Sequence, residues 1–242
     1  MNSNKTSLVA ALVLGLGGVA QGATITTADG DGADAFLERR DGGSAHETTN
    51  YGTDGNLRTR YHAGLGLYRK SYLRFDLSGI TQSIVSASFE LTANNNDSIG
   101  QVMAVYGLTD GVTGEGAPGG GGWSETGITW NNAPANDLSP GLGVTGDATL
   151  LGTFAKGGMD APTMFTDPAL VTFLNNDSNG LVTLIVGPNT TDDGGDISWY
   201  SKEAAGTAPA LSVTVVPEPS SMVLLLIVAA GGLLRFRGPR NR

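Results

Sequence analysis

The sequence predicts an all-β fold, an antiparallel β-sandwich of jelly-roll type with one short helix. Three observations carry this. Apolar and polar residues alternate with a period of two in one run after another, as in strands with one face on a core. The 37 glycines fall at intervals that suit short strands and turns. Charged residues are only 15% of the chain, against 40% hydrophobic, which is the balance of a packed domain.

The clearest strand lies in the stretch Ser71 to Ile80, in which Leu73, Phe75 and Leu77 alternate with Tyr72, Arg74 and Asp76. It reads as half-buried, with Ser78-Gly79 as a turn that lets Ser83 to Thr92 return against it. Upstream, Ala33 to Leu37 reads as a first strand and Leu57 to His62 as another, with Tyr51-Gly-Thr-Asp-Gly55 as turn chemistry between them. Val85, Ala87, Phe89 and Leu91 repeat the period, and Val102 to Leu108 follows an Asn-Asn-Asn-Asp turn. Leu150 to Phe154 is a weaker strand. Asp167 and Pro168 are an N-cap and an N1 proline ahead of a short helix from Ala169 to Leu174. Leu181 to Val186 is apolar on both faces, as in a central strand covered on both sides, and Ile197 to Tyr200 and Leu211 to Val216 complete the set. Leu73, Phe75, Leu77, Phe89, Val105, Leu184 and Val213 are the expected core.

The ends read differently. Lys5 precedes an apolar run from Leu8 to Val19, and small residues follow, so 1–22 is assigned as a secretory signal peptide. The domain takes in 24–216. Beyond it, 217–242 holds Pro217-Glu218-Pro219, thirteen apolar or small residues from Met222 to Leu234, and then four arginines. At about 1.5 Å per residue that run spans about 20 Å, short of the roughly 30 Å hydrocarbon core, which suits transient retention in the inner membrane.

The absence of cysteine excludes disulfides, thiolate metal sites and cysteine nucleophiles. Setting aside Glu218 and the five basic residues at the ends leaves 22 acidic and 9 basic side chains, a formal charge of −13 for the domain. A nucleic-acid partner is not expected. The two histidines, His46 and His62, have no nucleophile motif beside them, and no hydrolase constellation is visible. The chain therefore reads as a non-enzyme.

Two chemistries remain. Arg58, Arg60, Lys70 and Arg74 form a basic cluster in an acidic domain, and Tyr72, or Tyr51, offers a stacking face, so an anionic glycan is one reading and a solvated charged face the other. Asp34, Asp76 and Glu203 are candidate calcium ligands, since hard oxygen donors suit a cysteine-free exported domain; the alternative is that Asp76 and Glu203 pair with Arg74 and Lys202. Trp123 and Trp130, delivered by the glycine-rich stretch from Thr113 to Gly122, either plug the sandwich or stack on a ligand.

The tail, Val216-Pro-Glu-Pro-Ser220 with its apolar run and arginines, resembles the PEP-CTERM sorting signal of Gram-negative bacteria. That resemblance implies handling by an exosortase at the inner membrane, and a destination at the outer surface or in the extracellular matrix. Residues 33–215 resemble the DNRLRE-type, disaggregatase-related carbohydrate-binding domain. The likeness rests on Ala33-Asp-Ala-Phe, Asn50-Tyr-Gly, Leu57-Arg58, Ser71-Tyr-Leu-Arg-Phe-Asp-Leu, Trp123-Ser-Glu with Ile128-Thr-Trp-Asn and Pro134, and Ser201-Lys-Glu. It implies a non-catalytic β-sandwich that binds an extracellular polysaccharide; a purely structural matrix module, and a lyase or hydrolase, are the alternatives.

Overall fold

The computed structural model describes residues 20–42, 45–139, 143–204 and 208–216. The signal segment up to position 19, Pro217, Glu218, Pro219 and the 222–234 apolar run lie outside the described residues. Eleven strands and one helix follow in order: β1 (Gln21–Thr26), β2 (Ala33–Arg40), β3 (Asn56–His62), β4 (Leu67–Asp76), β5 (Ile84–Thr92), β6 (Val102–Leu108), β7 (Ala148–Ala155), β8 (Pro162–Phe165), α1 (Pro168–Asn176), β9 (Leu181–Pro188), β10 (Ile197–Tyr200) and β11 (Ala210–Val215). Among the described residues no helix is long and apolar enough to cross a membrane.

The strands form two antiparallel sheets. One has four strands in the order β1-β11-β5-β8; the other has seven, in the order β10-β3-β4-β9-β6-β7, with β2 paired to β4. The main core lies between them, where Leu73, Phe75, Val105, Leu184 and Val186 of the larger sheet meet Phe89, Leu91, Leu211 and Val213 of the smaller. All seven side chains expected in the core are buried. The helix begins as its sequence dictates. Asp167 accepts a hydrogen bond from the Ala169 N–H at 2.8 Å, Pro168 opens the first turn, and Leu170 and Leu174 turn inward.

Three expectations are corrected. Strand β5 does not return against β4: it pairs with β11 and β8 in the other sheet, so the connection from Leu77 to Ser83 crosses the sandwich and Phe75 meets Phe89 across the core at 6.0 Å. Alternation in a strand specifies which face is buried, not which strand is its neighbour. Val85 is 52% exposed, and Ile84 is buried in its place. The register with β11 slips between Thr214 and Val215, so Ser86 pairs with Thr214 and Ile84 with Val215, and Val85 is turned outward.

The third correction bears on function. Strand β4 is not half-buried. Its second face, with Tyr68, Lys70 and Tyr72, packs on Ala33, Ala35 and Leu37 of β2, Ile185 of β9, and Trp123, Ile128 and Trp130 from the long segment between β6 and β7. That segment is a third layer over the larger sheet, and the tryptophans are its anchors.

Candidate functional site

The five residues expected to bind a glycan do not form one surface. Lys70 is 1% exposed; its ammonium lies 4.7 Å from the centre of the Trp130 ring and donates to Asn136 Oδ1 at 2.8 Å and to the Gly143 carbonyl. Burial pulls its pKa down to about 8. Tyr72 is wholly buried and donates to the Pro134 carbonyl at 2.8 Å, so it has no face for a sugar. Arg74 stacks on Trp123 at 4.8 Å and donates to the backbone carbonyls of Asp31, at 2.8 Å, and Trp123, at 2.6 Å. These two cations and one hydroxyl hold the covering layer on the sheet. Their alternation with the core residues looked like exposure only because the layer that covers them is distant in sequence.

Arg58 and Arg60 on β3 are different, since both are half-exposed. Arg58 pairs with Asp196 at 3.2 Å and lies over the Phe36 ring at 5.6 Å. Tyr51 stacks on the same ring at 4.3 Å. Arg60 donates through Nε to the Gly194 carbonyl, and among the described residues no carboxylate ion-pairs with it. Beside them runs a network that sequence reasoning missed. Buried Glu38 accepts from Arg69 at 2.6 Å and from Arg40 at 2.5 Å, with His46 at 3.0 Å, while Arg69 reaches Asp196 at 2.6 Å. The close succession of opposite charges at Glu38, Arg39 and Arg40 was the available signal.

The expected calcium ligands also separate. Asp76 is a local cap: it accepts from the Ser78 N–H and the Asp31 N–H, each at 2.9 Å. Burial opposes its ionisation, but these hydrogen bonds outweigh that and hold its carboxyl below the usual range. Asp34 and Glu203 do come together, and the third acid with them is Glu125. One carboxylate oxygen from each lies within 4.8 Å of the others. Asp34 is 1% exposed; its Oδ2 accepts from the Thr27 hydroxyl at 2.6 Å and the Lys202 N–H at 3.0 Å, while its Oδ1 is sealed from solvent with no hydrogen-bond partner. Glu125 is ion-paired with Lys202 through Oε2, and its Oε1 is likewise sealed without a partner. A buried acceptor left unpaired costs about 1–3 kcal/mol, and more when it carries charge. Burial raises the Asp34 carboxyl to about 6 and pushes Glu125 up as well, with the neighbouring Glu203 adding to the effect and the Lys202 ammonium opposing it.

Glu125 is placed by the turn before β3. Asn50 donates to the Glu125 carbonyl at 2.6 Å and the Ile128 carbonyl at 2.8 Å, and Gly52 packs so closely on Glu125 that a methyl there would overlap its carbonyl oxygen. Ser201 fixes the Glu203 turn by donating its hydroxyl to the Asp54 carbonyl at 2.7 Å. An oxygen-only set of three acids facing one ammonium fits a hard divalent cation.

A second acidic group, Asp110, Glu115 and Asp177, borders a cleft of about 590 Å³ between α1 and the β6–β7 pair, walled by Phe173 and Leu150. Burial, with Asp110 and Asp177 adding to it, brings Glu115 up to about 7. Glu115 sits in the glycine-rich stretch, where nothing in the local sequence marks a lone acid as buried.

The sequence model of carbohydrate-binding module family 96 matches residues 32–145, from β2 through β6 and most of the covering segment. No curated protein matches the chain. The family match suggests carbohydrate binding and points to binding rather than catalysis.

Proposed function

We propose that this chain is an exported, non-catalytic surface or matrix protein whose sandwich binds an extracellular polysaccharide of anionic type. The observation that carries the reading is the family match over residues 32–145, which takes in β3 and its half-exposed arginines. Arg58 and Arg60 supply the contact to a carboxylate-bearing sugar, and Tyr51 beside them supplies a ring edge. With a domain charge of −13 the long-range field repels a polyanion, so binding rests on these arginines at short range and is modest and salt-sensitive. Export rests on the 1–22 segment, and passage through an exosortase at the inner membrane rests on Pro217-Glu218-Pro219 and the apolar run that follows.

The test is retention of the full chain on immobilised polysaccharides, uronate-rich against neutral, with Arg58→Ala/Arg60→Ala as the variant. Retention on the uronate gel should fall at least tenfold, while the melting temperature stays within a few degrees, because exposed charges contribute about 0–1 kcal/mol each. Arg74→Ala is the wrong probe, since it removes the support under Trp123. Absence of retention on every glycan would leave a structural matrix module, and release of unsaturated or reducing ends would make the protein an enzyme.

A further inference from the structure

We propose that Asp34, Glu125 and Glu203 bind a divalent cation, calcium in preference to magnesium, which locks the layer covering the larger sheet to β2 and to the turn after β10. Three independent features of the site converge. The first is geometry: three carboxylate oxygens, from residues 91 and 78 positions apart in the chain, lie within 4.8 Å of one another. Like charges at that spacing repel unless a cation or a shared proton lies between them, and a bound cation would take the place of any proton held between Glu125 and Glu203.

The second is the pair of orphaned oxygens. Asp34 Oδ1 and Glu125 Oε1 are both shut off from solvent, and neither accepts a hydrogen bond. A carboxylate as buried as Asp34 ordinarily has both oxygens occupied. Here Thr27 and the Lys202 N–H occupy Oδ2, which leaves Oδ1 as the oxygen with no protein partner and free to take a cation. The third is charge. The Lys202 ammonium neutralises one of the three acids through Glu125 Oε2, which leaves the site short by the charge of one divalent ion.

Calcium fits better than magnesium. The donors are carboxylates at the meeting of a strand, a loop and a turn, and Glu203 is exposed, so the outer side is open to water ligands. Calcium accepts six to eight oxygens in irregular geometry, whereas magnesium demands a near-ideal octahedron and gives up its water reluctantly. Bound there, the ion adds a charged tie at the edge of a layer already held by the buried cluster of Trp123, Ile128 and Trp130 on β2 and β4.

The test uses the full chain, stripped with a chelator and then titrated with calcium, magnesium or terbium. Calcium at about a hundredfold over its dissociation constant should raise the melting temperature by roughly 5–10 °C. Magnesium at the same concentration should raise it by less than half as much. Terbium emission excited through tryptophan should appear and be displaced by calcium. Glu203→Gln is the decisive variant, because an exposed residue can be changed without unfolding the domain: it should keep the melting temperature of the stripped protein and lose at least tenfold in calcium affinity. Asp34→Asn should abolish the response, and if it fails to fold the Glu203 variant still decides. A wild-type melting temperature that ignores calcium, or a Glu203→Gln response equal to the wild type's, overturns the site, and an equal response to magnesium overturns the preference. The result does not depend on glycan binding, so failure on the polysaccharide gels leaves it standing.

Discussion

Trp130→Ala separates the two roles open to the tryptophans. Trp130 is wholly buried between the covering segment and β4, and its ring is the surface on which the Lys70 ammonium rests. Truncating a buried tryptophan costs about 3–5 kcal/mol. Loss of the ring under Lys70 adds about 0.5–2 kcal/mol. Against this, the Trp130 Nε1 is a buried donor without a partner, so its removal returns about 1 kcal/mol. The hydrogen bond from Asn136 reaches the Trp130 carbonyl and survives the change. A net loss of about 2.5–6 kcal/mol should lower the melting temperature by roughly 5–24 °C for a domain of this size. Near-ultraviolet circular dichroism followed through thermal unfolding is the assay, with Val85→Ser as the exposed control expected to cost less than about 0.5 kcal/mol. A fall of less than about 2 °C for Trp130→Ala, together with loss of polysaccharide retention, would falsify the assignment of Trp130 to the core and make it a stacking platform.

Lys70 makes stability depend on pH. Its pKa is depressed in the folded protein to about 8, so between pH 8 and about 10 the unfolded chain holds more protons and stability rises with pH; the gain, measured by urea denaturation from pH 7.5 to 9.5, should be about 1–2 kcal/mol, and Lys70→Met should remove it. The window closes near pH 10, above which buried Tyr72, whose phenol burial holds well above its ordinary range, makes stability fall again. Gly52→Ala should destabilise by about 1–3 kcal/mol by forcing a methyl against the Glu125 carbonyl, and should weaken the calcium response in proportion, both read in the same thermal titration.

Much of the fold was legible because each strand carries its own record of which side meets the core. Leu73, Phe75 and Leu77 point inward as their period requires, and Leu181 to Val186 is covered on both faces as apolar residues on both of its faces imply. What was not legible was pairing. The step from β4 to β5 crosses between sheets, and the slip that exposes Val85 is an extra residue in β5 that shows only once Thr214 and Val215 of β11 are paired with Ser86 and Ile84. Strands β1 and β8 were missed because their residues, Gln21–Thr26 and Pro162–Phe165, are too mixed or too few to show a period, and they are strands only because an edge was there to pair with.

The site was misjudged for one physical reason. In Tyr68, Lys70, Tyr72 and Arg74 the alternation of polar and apolar residues predicts a boundary with water, but it is a boundary with a second layer of the chain. Long side chains bury their stems and rings there while their charged ends reach carbonyls and indole faces. Once that layer is in place, the stretches noted in the sequence for separate reasons fall together. Asn50 holds the loop of Glu125, Ser201 anchors to the Asp54 carbonyl before Glu203, and Asp34 is fixed by Thr27 and Lys202 at the end of β2. None of these contacts is local, so no spacing rule could have joined them. Two of these stretches contain a carboxylate oxygen sealed without a partner, Asp34 Oδ1 and Glu125 Oε1. The cation proposed between Asp34, Glu125 and Glu203 would satisfy both at once. Separate ion pairs satisfy neither, because Lys202 reaches Glu125 through Oε2 and leaves Asp34 Oδ1 and Glu125 Oε1 without a partner.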